Sequence, residues 1–205
     1  MKLDLGSGLQ PAEGFEGVDR MPGTHHTLEL GTGLPWPWAD DSIEALRSSH
    51  FIEHVQACDV FVTDYARARA VDHQGDPPGS WVDALVHFFN EAFRVVVPGG
   101  SFELIWPAAQ GSRAFQDPTH RRFIPSDQLQ YWNREFRRVM RLEFLGATCN
   151  WVVESIAAQN LQPERFEQIM GALPAEQAQT ECARIVRGEM NVLGDYRAML
   201  RAVKP

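Results

Sequence analysis

The 205-residue chain lacks any apolar run near the roughly 20 residues that a membrane span requires. Cysteine is scarce: Cys58, Cys149 and Cys182 are odd in number and far apart. They form no disulfide framework and indicate a reducing compartment. Basic residues are also few, with 19 Lys and Arg against 27 Asp and Glu, a net charge of -8. Proteins that bind nucleic acid mainly through phosphates are usually basic, so the total argues against that class. There is no internal repeat, low-complexity tract or long linker, because the 13 prolines and 16 glycines are spread along the chain. The first expected strand begins at residue 2, which leaves no signal peptide ahead of it. The expectation is a cytoplasmic, single-domain protein with no membrane segment.

What the chain does contain is concentrated at its start. Residues 2–5 read as a buried strand that ends in Gly6-Ser7-Gly8, and residues 15–18 as a second strand that ends in Asp19. Glycines let backbone approach a ligand closely, and a carboxylate after the second strand accepts hydrogen bonds from a ribose. A dinucleotide fingerprint needs a third glycine opening a helix and an acidic residue about 20 positions on. Here the third-glycine region holds Gln10 and Pro11, and Asp19 comes early. A diphosphate would lack its helix N-terminus, which counts against NAD. Taken alone, the glycines also fit a plain tight turn and Asp19 a simple cap.

The remaining pattern alternates strands and helices. Short strands are expected at 27–30, 43–49 and 101–106, with a mixed sixth within 138–151 and a last one at 196–203. Helices are expected at 51–70, at 81–95 with Ser80 as N-cap, at 126–136 with Ser126 as N-cap, and at 163–170 and 174–187. Residues 72–80 read as a polar loop, and 107–125 as a long irregular loop of the kind that serves as a functional lid. This order argues for an α/β domain with a mainly parallel sheet, helices on both faces and an antiparallel last strand. The expected organisation is a cofactor half over 1–106, lid and acceptor-side additions over 107–195, and the strand at 196–203.

Five pieces in order carry a resemblance. They are Leu3-Asp4-Leu5-Gly6-Ser7-Gly8; Gly17-Val18-Asp19; Leu34-Pro35-Trp36 with Asp40-Asp41-Ser42-Ile43-Glu44; Ser48-Ser49-His50-Phe51-Ile52-Glu53-His54; and Phe93-Arg94-Val95-Val96-Val97-Pro98-Gly99-Gly100. Together they resemble the Rossmann-like S-adenosylmethionine-dependent methyltransferases, in particular the small-molecule, type 11-like domains. Asp117-Pro118-Thr119-His120-Arg121 looks like a segment that follows the fifth strand in that subgroup. The resemblance implies S-adenosylmethionine as cofactor and S-adenosylhomocysteine as product. It implies that Asp4 holds the ammonium of the methionine tail, and that Gly6, Ser7 and Gly8 pass beneath the tail and ribose. Asp19 would hold the ribose hydroxyls, Glu29 and Leu30 would lie along the adenine, and Ser48 and Ser49 would meet the methionine portion. Leu34 and Trp36 would add apolar cover.

Methyl transfer is an in-line displacement at an activated carbon, so alignment and exclusion of water dominate. A base is needed only where the acceptor keeps its proton. His50 and His120 are the main candidates, beside Glu53 and His54. His50-Phe51-Ile52-Glu53-His54 also matches the H-x-x-E-H pattern of a zinc peptidase class. That chemistry needs both histidines on one helix face and a third ligand, whereas His50 is expected at a strand end, and no metal is expected. Arg121, Arg122, Arg134, Arg137, Arg138 and Arg141 form a local basic excess, readable as a solvated helix face or as a receiver for an anionic acceptor. The expected acceptor is a small molecule or glycan, with nucleic acid disfavoured. The C-terminal helices read as an acceptor cap or as a homodimer surface. A non-catalytic cofactor-binding or partner protein on the same fold is the alternative to an enzyme.

Overall fold

The computed structural model describes residues 1–62 and 80–204. The elements in chain order begin with β1 (Lys2–Leu5), β2 (Glu16–Asp19), β3 (His26–Thr27), β4 (Ile43–Ser49), β5 (Asp59–Val62) and β6 (Ser80–Asp83). Then follow α1 (Ala84–Val95), β7 (Val96–Pro107), α2 (Arg113–Gln116), α3 (Arg134–Met140), β8 (Trp151–Asn160), α4 (Pro163–Ala172), α5 (Ala175–Gly188) and β9 (Leu193–Ala202). Seven strands form one sheet in the order β3-β2-β1-β4-β7-β9-β8. The pairs from β3 across to β7 are parallel, while β9 runs antiparallel to both β7 and β8. This is a Rossmann-like α/β sheet with the expected antiparallel last strand. β5 and β6 form a separate antiparallel ribbon.

The two sheet faces differ in chemistry. On one, Leu3 and Leu5 of β1 align with Leu46 and Ser48 of β4, then with Phe102 and Leu104 of β7 and Leu200 and Ala198 of β9. All are buried. Helix α1 packs here through Phe88 and Phe89, whose rings lie 6.2 and 6.1 Å from Phe102. Trp151 joins at 5.5 Å from Phe102. Each such side chain contributes about 1.5–3 kcal/mol by leaving water. On the other face Asp4, Arg47 and Glu103 lie side by side. Arg47 donates to Asp4 Oδ2 at 2.9 Å and to Glu103 Oε2 at 3.0 Å, and Arg197 donates to Glu103 Oε1 at 2.7 Å.

Several elements differ from the sequence pattern. The helix expected over 51–70 is a short 3₁₀ turn, Ile52–His54, followed by β5. Val55 is extended (φ -58°, ψ 128°) and stops the turn, and the β-branched Val60 and Val62 favour the strand. Residues 63–70, and nearly all of the loop expected at 72–80, lie outside the described residues. Helix α1 starts at Ala84, not at Trp81, because residues 80–83 pair with β5. Its cap is Asp83, which accepts from Leu85 N and Val86 N. The helix expected at 126–136 divides into a 3₁₀ stretch, Ser126–Trp132, and α3. The extended Asn133 (φ -90°, ψ 129°) breaks it and caps Phe136 N. The sixth strand falls at 151–160, because Arg141 and Gly146 take left-handed conformations that terminate the preceding turns. The third strand is shorter than expected, at His26–Thr27.

The long segment between β3 and β4 contains no helix. Its anchor is Trp36, buried edge-on against Phe88 at 5.5 Å. Arg94 and Glu91 of α1 hold it. Trp36 N donates to Glu91 Oε2 at 2.6 Å, and Arg94 donates to the carbonyls of Trp36 and Trp38 at 2.9 and 2.8 Å. The Arg94–Glu91 pair is bidentate, and it raises the Arg94 guanidinium above its ordinary pKa. His87, one turn earlier, joins its Nε2 to the Leu34 carbonyl at 3.1 Å. Burial pushes the His87 imidazole below its ordinary pKa.

Two predictions follow from this clamp. Arg94→Leu strands Glu91 and the two carbonyls, so it lowers stability by about 3–5 kcal/mol, the cost of breaking a buried pair. Chemical denaturation measures this, and a loss under 1 kcal/mol would show that Trp36 alone holds the segment. For His87 the folded pKa lies below the unfolded one. Below the unfolded pKa of about 6.5 the unfolded chain therefore binds more protons, and stability falls as pH drops through that range. The His87→Gln variant should lose less stability between pH 7 and 5 than the parent, and an equal loss refutes the assignment.

Candidate active site

The strand order reverses between β1 and β4, and in open α/β sheets ligands bind beyond the strand carboxyl ends at such a switch point. A cleft of about 830 Å³ lies there, lined by Gly6, Ser7, Gly8, Asp19, Glu29, Leu30, His50, Phe51, His54, Thr119 and Arg121 among others. That volume suits a nucleoside-sized ligand.

The glycine loop forms one wall. Gly6 N donates to Val18 O at 2.7 Å, extending the β1–β2 pairing into the turn. Gly6 and Gly8 have φ of 73° and 55°, a left-handed conformation that costs a side chain energy. A Cβ on Gly6 would overlap the Phe51 ring, whereas one on Gly8 would meet nothing within 4 Å. The loop is fixed by carboxylates at two points. Gly8 N donates to Asp19 Oδ2 at 2.9 Å, and Ala12 N donates to Asp4 Oδ2 at 2.9 Å. Asp19 Oδ1 also accepts from Met21 N at 3.0 Å. No helix follows the loop before β2, so no helix N-terminus is present to cradle a diphosphate.

Not every residue named from the sequence reaches the cleft. Asp4 is 1% exposed and lies on the charged sheet face, committed to Arg47 and Ala12. The Ser48 hydroxyl donates to Leu5 O at 3.0 Å, a cross-strand tie. Neither lines the cleft, and nor does Ser49. Trp36 is in the core, and Leu34 is exposed, its carbonyl bound by His87. The arginines disperse. Arg121 lines the cleft. Arg122 binds Val55 O, Gln56 O and Asp83. Arg137 is buried on the carbonyls of Tyr131 and Cys149, and Arg138 pairs with Glu135.

His50 also lines the cleft. It follows β4 directly and is a histidine with positive φ, 53°. Its Nδ1 lies 3.4 Å from Glu53 Oε1 and its Nε2 3.7 Å from Asp195 Oδ2. Glu53 is the larger influence and holds the imidazole above its ordinary pKa. The strand-end position and the short 3₁₀ turn put His50 and His54 on no common helix face, so the zinc-peptidase geometry is absent.

The long loop 107–125 contains α2 and is fastened to the turn after β4. Arg121 N and Arg122 N donate to Glu53 O at 2.7 and 3.1 Å. This brings His120 against His54, with ring centroids 4.7 Å apart. His120 does not line the cleft; its side chain is 7% exposed. Sequence reasoning missed Phe51 and Thr119 as lining residues, while Arg121 belongs to the arginine group it had singled out. The signal for Phe51 is the need for a glycine opposite it, which a single sequence does not display.

No protein-family model matches the chain, and no curated protein matches it by sequence. Solved structures do match in fold. A SAM-dependent methyltransferase from Archaeoglobus fulgidus aligns over 98% of this chain and 85% of its own, at 15% identity and a TM-score of 0.50. The YcgJ protein of Bacillus subtilis aligns over 100% of this chain and 92% of its own, at 14% identity and a TM-score of 0.49. The likeness is one of fold, a Rossmann-like α/β sheet.

The Gly6 geometry is testable. Gly6→Ala adds a methyl where the Phe51 ring sits and where φ is positive. It should cost about 1–3 kcal/mol of stability, the scale of a strained backbone position. An unchanged unfolding midpoint would show that the loop and ring shift freely.

Proposed function

We propose that this protein transfers a methyl group from S-adenosylmethionine to a small-molecule or glycan acceptor, releasing S-adenosylhomocysteine. The observation that carries the reading is the cleft at the β1/β4 switch point, with a glycine loop on one wall and Asp19 at the end of β2. Gly8 leaves open space above the loop, Asp19 retains lone pairs for a ribose diol, and the absence of a helix N-terminus favours a ligand without a diphosphate. When bound, the sulfonium supplies an activated methyl carbon.

The residues of this chain then have separable tasks. Gly6 to Gly8 form the floor under the tail and ribose, Asp19 orients the ribose, and Glu29 and Leu30 border the adenine. Phe51 gives the cleft an apolar surface that excludes water. His50, at the end of β4, accepts a proton from an acceptor that still carries one, with Glu53 and Asp195 orienting its imidazole. His120 lies outside the cleft lining and acts on the acceptor side only through His54 and Glu53.

Calorimetry with S-adenosylmethionine and S-adenosylhomocysteine should give micromolar dissociation constants. Folded protein that binds neither refutes the reading and favours a non-catalytic protein on the same fold. Asp19→Ala should weaken binding by about 1.5–3 kcal/mol, the scale of a charge-assisted hydrogen bond; equal affinity would mean the ribose is held elsewhere. Labelled cofactor incubated with metabolite and glycan pools identifies the acceptor. With that acceptor, His50→Asn, which tolerates positive φ, should retain cofactor affinity while turnover drops about 10²-fold or more. Full turnover removes His50 from proton transfer.

A further inference from the structure

Beside the cleft lies a cluster that methyl transfer does not require. Glu53 is 2% exposed, and neither of its carboxylate oxygens has a hydrogen-bond partner. A carboxylate withdrawn from water without partners is costly. Its nearest charged neighbour is the His50 imidazole, whose Nδ1 at 3.4 Å makes an ion pair without a hydrogen bond. Around Glu53 stand His54 and His120, and one ligating atom from each of the three lies within 4.8 Å of the others.

The surrounding bonds fix both imidazoles in one tautomer. His120 Nδ1 donates to the Ala114 carbonyl at 2.8 Å, which leaves Nε2 as its ligating nitrogen. That Nε2 is 4.0 Å from Glu53 Oε1. Asp117 Oδ1 accepts from the backbone N and the hydroxyl of Thr119, both at 2.7 Å. The Thr119 proton is thus committed, and its oxygen, 3.0 Å from His54 Nδ1, acts as acceptor. His54 is therefore protonated at Nδ1 as well and keeps its lone pair at Nε2. Outer-shell carbonyl, hydroxyl and carboxylate partners of this kind orient metal-binding histidines.

We infer that Glu53, His54 and His120 form a binding site for a divalent transition cation, bordering the cleft through His54. A two-imidazole, one-carboxylate set suits zinc, iron, nickel or copper better than magnesium or calcium. Metal–ligand bonds of about 2.0–2.2 Å place neighbouring ligands roughly 3–3.5 Å apart. The ligand atoms, now up to 4.8 Å apart, must therefore close by up to about 1–2 Å on metal binding. The cation gives the Glu53 carboxylate a close ligand that the His50 ion pair at 3.4 Å does not supply. This set replaces the His50 pairing that the H-x-x-E-H string suggests: His120, from the loop beyond β7, supplies the second imidazole.

The test uses the full chain stripped with chelator and titrated with Zn²⁺ and Co²⁺ in the absence of S-adenosylmethionine. Competition with a chromophoric chelator gives affinity, and Co²⁺ d–d absorption reports the ligand field. The parent should bind one equivalent at micromolar or tighter concentration, with no thiolate charge-transfer band. Glu53→Gln and His120→Ala should each weaken binding more than about 100-fold, beyond the 10–100-fold typical of outer-shell changes. Cys58→Ser, at the exposed cysteine, should bind like the parent. Circular dichroism identifies any variant that fails to fold, and His54→Ala then replaces it. Millimolar binding by the parent, or equal affinity in folded variants, overturns the site. Cofactor binding is measured separately with chelator present, so either result leaves the methyl-transfer reading to its own test.

Discussion

Two carboxylates do for the glycine loop what a helix usually does. In parallel α/β units the crossover after the first strand is generally a helix, and its packing fixes the turn that precedes it. Here residues 6–15 contain none. Asp4 binds the loop at Ala12 and Asp19 binds it at Gly8, so its path is set by side-chain acceptors on the two strands it joins. Asp4 serves a second purpose. It is the first member of an alternating row of charge that crosses the sheet through Arg47 and Glu103 to Arg197. A sheet face rich in charge is stable only when each group finds an opposite neighbour; the parallel register sets Asp4, Arg47 and Glu103 side by side, and Arg197 reaches Glu103 diagonally from antiparallel β9.

The same substitution of side chain for helix recurs between β3 and β4. Trp36 reaches the core, but the irregular backbone around it would be left with unsatisfied polar groups without Glu91 and Arg94. Both residues project from α1, the element most completely buried against the sheet. Rigidity therefore passes from the aromatic core to α1, and from α1 to the segment leading into β4 and the site wall at His50.

Much of this was legible in the sequence. The strand–glycine–strand–acid order at 2–19 and the amphipathic stripe of α1 are local signals, and the fold follows them. The segment after His50 was not legible. Its Phe51–Val55 spacing fits a helix, but the left-handed His50 and extended Val55 confine it to a single turn, and its partner strand is distant in sequence. Asp4 falls outside the cleft lining for a related reason. A strand residue belongs to the face opposite its neighbours Leu3 and Leu5, and once those two fill the core it is carried to the charged face, toward Arg47. The gathering of His54 and His120 depends on two backbone bonds to the Glu53 carbonyl, which no spacing reveals.

The position of β9 has a consequence for synthesis. It is the last strand in chain order, yet it lies inside the sheet, between β7 and β8. While the ribosome is still making residues 108–192, β7 stands as an open edge with unpaired amides and carbonyls along Ser101–Pro107, the residues it later pairs with β9. Such an edge invites pairing with another chain. The nascent protein is thus most exposed to misassembly until β9 emerges, and a chain cut short ahead of Leu193 stays in that state.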